Sequence, residues 1–223
     1  MEEFKLREKI KSLGPWWEDV AFGSIKTSSL FNNCGRSKKY LFDNIILKNY
    51  KKDIFKNKRI LDMGCNAGGI MAELFDLDIH YTGIDYKDLF VNQANFVKDF
   101  YKINGDIFKY NLSNKSSVEL KNELGSYDII FCIGLIYHIS KIQDVKSIID
   151  YSLNNSEKTI LSSQSFASEK RSSLDWNPSI ESIFNISKEC GANSFKILYL
   201  QDENSFRNSG SRLTNNFYFE ICK

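Results

Sequence analysis

From Lys58 onward, short apolar runs alternate strictly with helical stretches, and this alternation narrows the fold more than any other feature. Strand-like runs fall at Arg59–Gly64, Ile79–Asp85, Tyr101–Asn104, Tyr127–Ile133, Thr159–Gln164, Phe195–Leu200 and Phe217–Cys222. Helical spacing predicts helices at about Gly69–Phe75, Leu89–Lys98, Ser117–Leu124, Lys141–Leu153 and Ile180–Cys190. Strands interleaved with helices build a parallel, doubly wound α/β sheet, because a helix is the natural crossover between parallel neighbours. The last two runs are separated only by Gln201 to Asn216, which suits an antiparallel pair. The expectation is a seven-stranded, mostly parallel sheet with its last strand antiparallel.

The first 57 residues read differently. A short amphipathic helix, about Glu2 to Leu13, is stopped by Gly14-Pro15, and Trp16-Trp17 follows. From Arg36 to Arg59 there are nine basic residues against two acidic ones, a local charge of +7. Tyr40, Leu41, Ile45, Ile46 and Leu47 recur there at helical spacing, so this reads as an amphipathic helix with a basic outer face. The rest of the chain carries −5, leaving a net +2 that names no partner. Residues 1–57 are read as a helical lid or substrate cap, and 58–223 as the α/β domain. The five cysteines are odd in number and contain no C-x-x-C pair, and with two histidines there is no zinc set. No metal and a reducing cytoplasm are expected. The charged N-terminus and the lack of a long apolar run argue against a signal peptide and against membrane insertion. A homo-oligomer stays open.

The most specific segment is RILDMGCNAGG, Arg59–Gly69, where a strand enters a small-residue turn and then a helix. Ligands sit at the carboxyl ends of strands in open parallel sheets, and glycines let the backbone approach them. Asp62, two residues before Gly64, would repel a pyrophosphate but suits a ligand with an amino group or another cation. Asn66 stands where the dinucleotide fingerprint needs a glycine, which disfavours a nicotinamide or flavin. Asp85 ends the second strand and can accept both hydroxyls of an adenosine ribose; capping of the next helix is the competing reading. Asp106 is expected just after the third strand, either accepting from an adenine amine or serving as a turn aspartate.

Together these residues resemble the class I S-adenosylmethionine-dependent methyltransferase family, whose first motif is an acidic residue followed by a glycine turn. The resemblance runs from about Lys58 to the end. It implies S-adenosylmethionine as cofactor, methionine-end recognition by Asp62, Gly64, Cys65, Asn66 and Gly68, ribose by Asp85, and adenine by Tyr86, Asp106 and Ile107. The run YDIIFCIGLIYHIS, the early PWW, GSIKTSS and GIDYKDLF are similar to the branch containing the bacterial tRNA wobble-uridine carboxymethyltransferase. In that branch Ile133 would line the cofactor pocket and Tyr137 would lie against its reactive end.

Three departures argue against carboxymethyl chemistry. Trp17-Glu18-Asp19 stands where the family enzyme has a basic residue for its carboxylated cofactor, Thr214-Asn215-Asn216 replaces an arginine, and the leader is shorter. An anionic cofactor group without a cationic partner is costly to bury. The expected activity is therefore methyl transfer from plain S-adenosylmethionine to oxygen of a small acceptor, a polysaccharide or nucleotide-linked sugar or a secondary metabolite. The alternative is tRNA wobble-uridine modification using the basic face. His138 is the candidate base, with packing or capping as its competing role, and Tyr137 orients the cofactor. Trp16, Trp17, Lys26 and Arg36 of the leader, and Arg171 and Trp176 of the loop after the fifth strand, are the candidate substrate contacts.

Overall fold

The computed structural model describes residues 2–27, 41–166, 174–200 and 214–223. The basic residues Arg36, Lys38 and Lys39, and the loop residues Lys170 and Arg171, lie outside them. The main strands form the expected seven-stranded, mostly parallel sheet. The chain separates into two compact units, Met1–Asn111 and Leu112–Lys223.

In the first unit, helix α1 (Glu3–Ser12) buries Leu6 and Ile10, and a hairpin of β1 (Ala21–Phe22) and β2 (Ile25–Lys26) follows. Helical turns across residues 42–49 bury Phe42, Ile45 and Ile46 and leave Lys48 exposed, the amphipathic pattern expected of that stretch. Then come β3 (Arg59–Met63), α2 (Gly69–Glu73), β4 (His80–Asp85), α3 (Asp88–Tyr101) and β5 (Asn104–Lys109). β4 is central, parallel to β3 through Arg59↔His80 to Met63↔Ile84 and to β5 through His80↔Asn104 to Asp85↔Lys109. β3 and β4 are buried almost throughout, as parallel strands covered on both faces are, whereas β5 is largely exposed.

The sequence placed a strand at Tyr101–Asn104; instead α3 runs on to Tyr101 and β5 starts at Asn104. The reason is tertiary. Phe96, Phe100 and Tyr101 at the end of α3 pack around Phe22 of the hairpin, with ring centroids 5.2, 5.0 and 6.4 Å away, and the Tyr101 hydroxyl donates to the Ala21 carbonyl. Lys102, at φ 55°, then ends the helix in a left-handed cap.

The second unit holds α4 (Ser117–Leu124), β6 (Tyr127–Cys132), α5 (Ile142–Asn155), β7 (Ser156–Phe166), α6 (Ile180–Glu189), β8 (Ser194–Leu200) and β9 (Thr214–Cys222). α4 opens with a capping box in which Ser116 and Glu119 exchange hydrogen bonds with each other's backbone N–H. β6 pairs in parallel with β7, and β9 lies between β7 and β8, antiparallel to both. The reversed strand is thus the last one, as expected. No helix among the described residues is long and apolar enough to cross a membrane.

Candidate functional site

β3 delivers Asp62 to the turn that joins it to α2, and every backbone N–H of that turn from Gly64 to Gly69 is engaged. Gly64 and Cys65 donate to the Ile84 carbonyl at 2.8 and 3.0 Å, and Gly68 donates to the Cys65 carbonyl at 3.0 Å. Asn66 donates to Asp85 Oδ2 at 3.1 Å, Ala67 to Asn66 Oδ1 at 2.7 Å, and Gly69 to Glu18 Oε2 at 2.7 Å. A pyrophosphate cradle works by offering such donors to the ligand. Here protein acceptors have taken them, two of those acceptors being carboxylates. The turn therefore cannot bind a dinucleotide in the usual way, and its surroundings favour a cation.

Asn66 explains itself once its backbone is known. Its φ of 51° lies in the left-handed region, where asparagine is the residue best tolerated after glycine, and its side chain closes onto the next amide. Gly68 has no such substitute. Its φ is 80°, and a Cβ there would come within 2.7 Å of Met71 Cε.

Asp62 is fully buried and accepts a 2.5 Å hydrogen bond from the Tyr81 hydroxyl. Burial pushes that hydroxyl well above its ordinary pKa, and the negative charge of Asp62, with a smaller contribution from Glu18, acts in the same direction. Tyr81 is thus a neutral, fixed donor. Glu18, only 4% exposed, comes from the leader and supplies the acceptor at the start of α2, whose own N-cap, Gly68, has no side chain to offer. Sequence reasoning noticed Glu18 only as a missing base. Its place on the turn had one signal, an acidic residue just after an apolar pair, and that signal alone does not reveal a helix cap.

Asp85 lies at the carboxyl end of β4, 8% exposed. Oδ2 accepts from Asn66 and Oδ1 from the Lys87 N–H at 3.0 Å. Each oxygen keeps one lone pair, so the carboxylate can still accept from two neighbouring hydroxyls, which fits a ribose diol. Tyr86 beside it is 58% exposed, with the Lys87 ammonium 5.3 Å from its ring centroid. Ile107 is buried over Gly83, where a Cβ would meet Ile107 Cδ1 at 2.6 Å and Cys65 Sγ at 3.0 Å. Ile107 and Cys65 therefore share one face of the strand pair. Asp106 is not after the third strand: it lies inside β5, paired with Thr82 and exposed, because the longer α3 delays the strand. The residue level with Asp85 is Lys109.

In the second unit, Ile133 is buried directly after β6, and the Gly134 N–H donates to Ser162 Oγ at 2.8 Å. A 3₁₀ turn, Ile136–His138, then places half-buried Tyr137 against exposed His138, with ring centroids 4.3 Å apart. Trp176, a candidate substrate contact, packs inside the fold. Its indole N–H donates to the Ile139 carbonyl at 2.8 Å. Asp175 completes this clamp by donating its N–H to the Ser140 carbonyl and accepting from the Ile142 N–H. The clamp fixes the chain immediately after Tyr137 and His138.

Of the leader candidates, Trp16 is buried, donates to the Ile10 carbonyl at 3.0 Å and sits edge-on to Phe22, so it anchors the leader. Trp17 is 37% exposed and Lys26 is exposed. Arg36 and Arg171 lie outside the described residues.

Residues 61–155 match the model of a family described as a methyltransferase domain. The chain is 30% identical over 152 residues to the tRNA U34 carboxymethyltransferase of Nautilia profundicola, a match covering 66% of this chain and 46% of that protein. The chain spans about half the length of the curated relatives it matches. Among solved structures it resembles the N-terminal domain of EvdMO1, crystallised in the presence of SAH and D-fucose, with a TM-score of 0.73 and 15% identity over 99% of this chain and 97% of that one. It also resembles the bifunctional kinase-methyltransferase WbdD, with a TM-score of 0.66 and 12% identity over 96% of this chain and 45% of that one. At these identities the structural likenesses speak to the fold.

Proposed function

We propose that this chain, which belongs to the class I methyltransferase family, transfers a methyl group from S-adenosylmethionine to a hydroxyl oxygen of a small acceptor such as a polysaccharide or nucleotide-linked sugar or a secondary metabolite. When bound, the cofactor supplies a methyl group on a sulfonium sulfur, already activated for in-line displacement. Asp85 holds the ribose hydroxyls through the lone pairs that its backbone donors leave free. Asp62 and Glu18 supply negative charge at the turn that receives the methionine end, and Tyr81 keeps the Asp62 carboxylate in one orientation. Tyr137 orients the reacting groups, and His138 takes the acceptor's proton as the oxygen–carbon bond forms and the sulfur–carbon bond breaks, a task for which an imidazole is suited near neutral pH.

The observation that carries this reading is the Glu18 carboxylate on the Gly69 N–H. It places an anion at the turn in the stretch where the carboxymethylating branch has a base. A carboxylated cofactor would bring a second anion toward it, whereas the net cationic S-adenosylmethionine is attracted. Calorimetry with the two cofactors tests this: S-adenosylmethionine is expected to bind and the carboxylated form to bind far more weakly. Equal or tighter binding of the carboxylated form would overturn the proposal.

The 30% identity to a tRNA-modifying relative supports a second reading, uridine modification in tRNA. Labelled methyl transfer decides between them. Incorporation into sugar acceptors and not into unmodified tRNA supports the first reading, and the reverse supports the second.

A further inference from the structure

The leader of the first unit forms a groove of about 590 Å³ between α1 and the β1–β2 hairpin. Its floor is apolar, with Ile10, Trp16 and Ile25, and its rim carries three cations, Arg7, Lys11 and Lys26, with no carboxylate among the lining residues. Arg7 spends part of its charge on Glu3, at 2.6 Å across the exposed side of α1. Neither Lys11 nor Lys26 pairs with an acidic side chain among the described residues. The volume falls in the range of small-molecule sites, and the combination of an apolar floor with a cationic rim matches a base or sugar ring carrying phosphates.

The groove is tied to the glycine turn by covalent and hydrogen-bonded links within the same unit. Thr27, which lines it, donates its hydroxyl to the Glu18 carbonyl at 2.6 Å and accepts from the Val20 N–H at 2.8 Å. Trp16 lines the groove and Glu18, two residues on, touches Gly69, so about 7 Å of backbone at most, and then the Glu18 side chain, lie between the groove wall and the turn. Gln93 of α3 holds the intervening loop by donating to the Leu13 and Pro15 carbonyls at 3.1 and 3.0 Å. The groove and the turn are thus neighbours along the leader, and a sugar carried on a diphosphate is the part of such a ligand free to extend toward the turn.

We propose that this groove is the binding site for the nucleoside diphosphate portion of the acceptor, Lys11 and Lys26 holding the phosphates and the Ile10–Trp16–Ile25 floor carrying the nucleoside. This narrows the small acceptor of the proposed function to a nucleotide-linked sugar and rests on that reading. The groove selects the acceptor by its handle and leaves the sugar free for chemistry. It also gives a positive role to a leader otherwise explained only as cover.

Titration calorimetry of the full chain with uridine, guanosine and adenosine diphosphates, and separately with SAH, tests the site. At least one diphosphate is expected to bind, and the Lys11→Ala/Lys26→Ala double variant to bind it at least tenfold more weakly, since each lysine makes a charged contact. SAH affinity and the thermal midpoint of that variant should be unchanged. If SAH binds but no diphosphate does, or if the double variant binds as the parent does, the groove assignment is wrong and the methyltransferase reading stands. If SAH itself does not bind, it is that reading that fails. A short oligoribonucleotide that binds more tightly than every diphosphate, with affinity falling steeply in salt, would also overturn the assignment, in favour of RNA.

Discussion

Replacing Glu18 with alanine tests the site at the place where its charge arrangement is set. The carboxylate makes a 2.7 Å charged hydrogen bond to the buried Gly69 N–H, and it is the side-chain acceptor at the start of α2, since Gly68 cannot cap. Losing a charge-assisted bond and stranding its donor costs about 1.5–3 kcal/mol. Relief of repulsion between Glu18 and Asp62, both of which raise the Tyr81 pKa, opposes that loss and moves the expected net toward about 2 kcal/mol. For a chain of this size that corresponds to a fall of about 4–8 °C in the thermal midpoint, read by circular dichroism without cofactor. Glu18→Gln keeps an oxygen acceptor and should recover about half of the fall. The two variants should agree on a second quantity. S-adenosylmethionine is net cationic and its demethylated product is not, so removing the negative charge weakens the first more than the second in both variants. A midpoint shift under about 1 °C in Glu18→Ala, with the affinity ratio of the two ligands unchanged, would refute the placement of Glu18 on the turn.

Further predictions follow from the same geometry. Asp85→Ala removes the acceptor for two hydroxyls and should weaken SAH binding by about a hundredfold or more, read by calorimetry. Tyr81→Phe leaves the buried Asp62 carboxylate without its hydroxyl donor and should cost about 1.5–3 kcal/mol by denaturant titration. Because the folded pKa of Tyr81 lies above its unfolded value, its contribution is present at neutral pH and is lost as pH rises past the ordinary tyrosine range; absorbance at alkaline pH should show a tyrosine that ionises above that range and is missing from Tyr81→Phe. Gly68→Ala meets both a φ of 80° and the Met71 methyl at 2.7 Å, and should destabilise the chain by about 1–3 kcal/mol. Burial pushes the Cys190 thiol up to about 11, so its alkylation by iodoacetamide should be slow at pH 8 and keep accelerating beyond pH 10.

The α/β alternation was legible because buried parallel strands such as β3 and β6 are mostly apolar, and short apolar runs between helical patterns have few other uses. The reversed strand was legible from the short connection to β9. The first hairpin was not read, although Phe22-Gly23-Ser24-Ile25 carries a two-residue turn signal, because strands of two residues offer no alternation to count. The error at Tyr101 came from the same gap. Without the hairpin there is no Phe22 for Phe96 and Phe100 to pack on, and nothing in local propensity tells a solvent-facing aromatic from the last turn of a helix.

Asp62 and Asp85 stand out as candidates in the sequence because ligands of open parallel sheets lie at strand ends, and a carboxylate there has chemical meaning by itself. Glu18 and Lys11 lacked that meaning, since a leader residue gains a role only from what it folds against. Their placement sharpens the charge argument. The chain's net charge of +2 is uninformative because it averages over sites of opposite need. In the first unit alone, a turn carrying Asp62, Asp85 and Glu18 demands a cation, and two residues up the chain from Glu18 a groove carrying Lys11 and Lys26 demands an anion. Such adjacency of opposite charge suits an enzyme that brings a cationic methyl donor to an anionic acceptor. It predicts that the two ligands bind more tightly together than apart, by the attraction of unlike charges. Titrating a nucleoside diphosphate into the chain with and without S-adenosylmethionine measures that coupling, and the neutral product SAH should show less of it. Equal coupling with both would mean that the cofactor's charge plays no part in drawing in the acceptor.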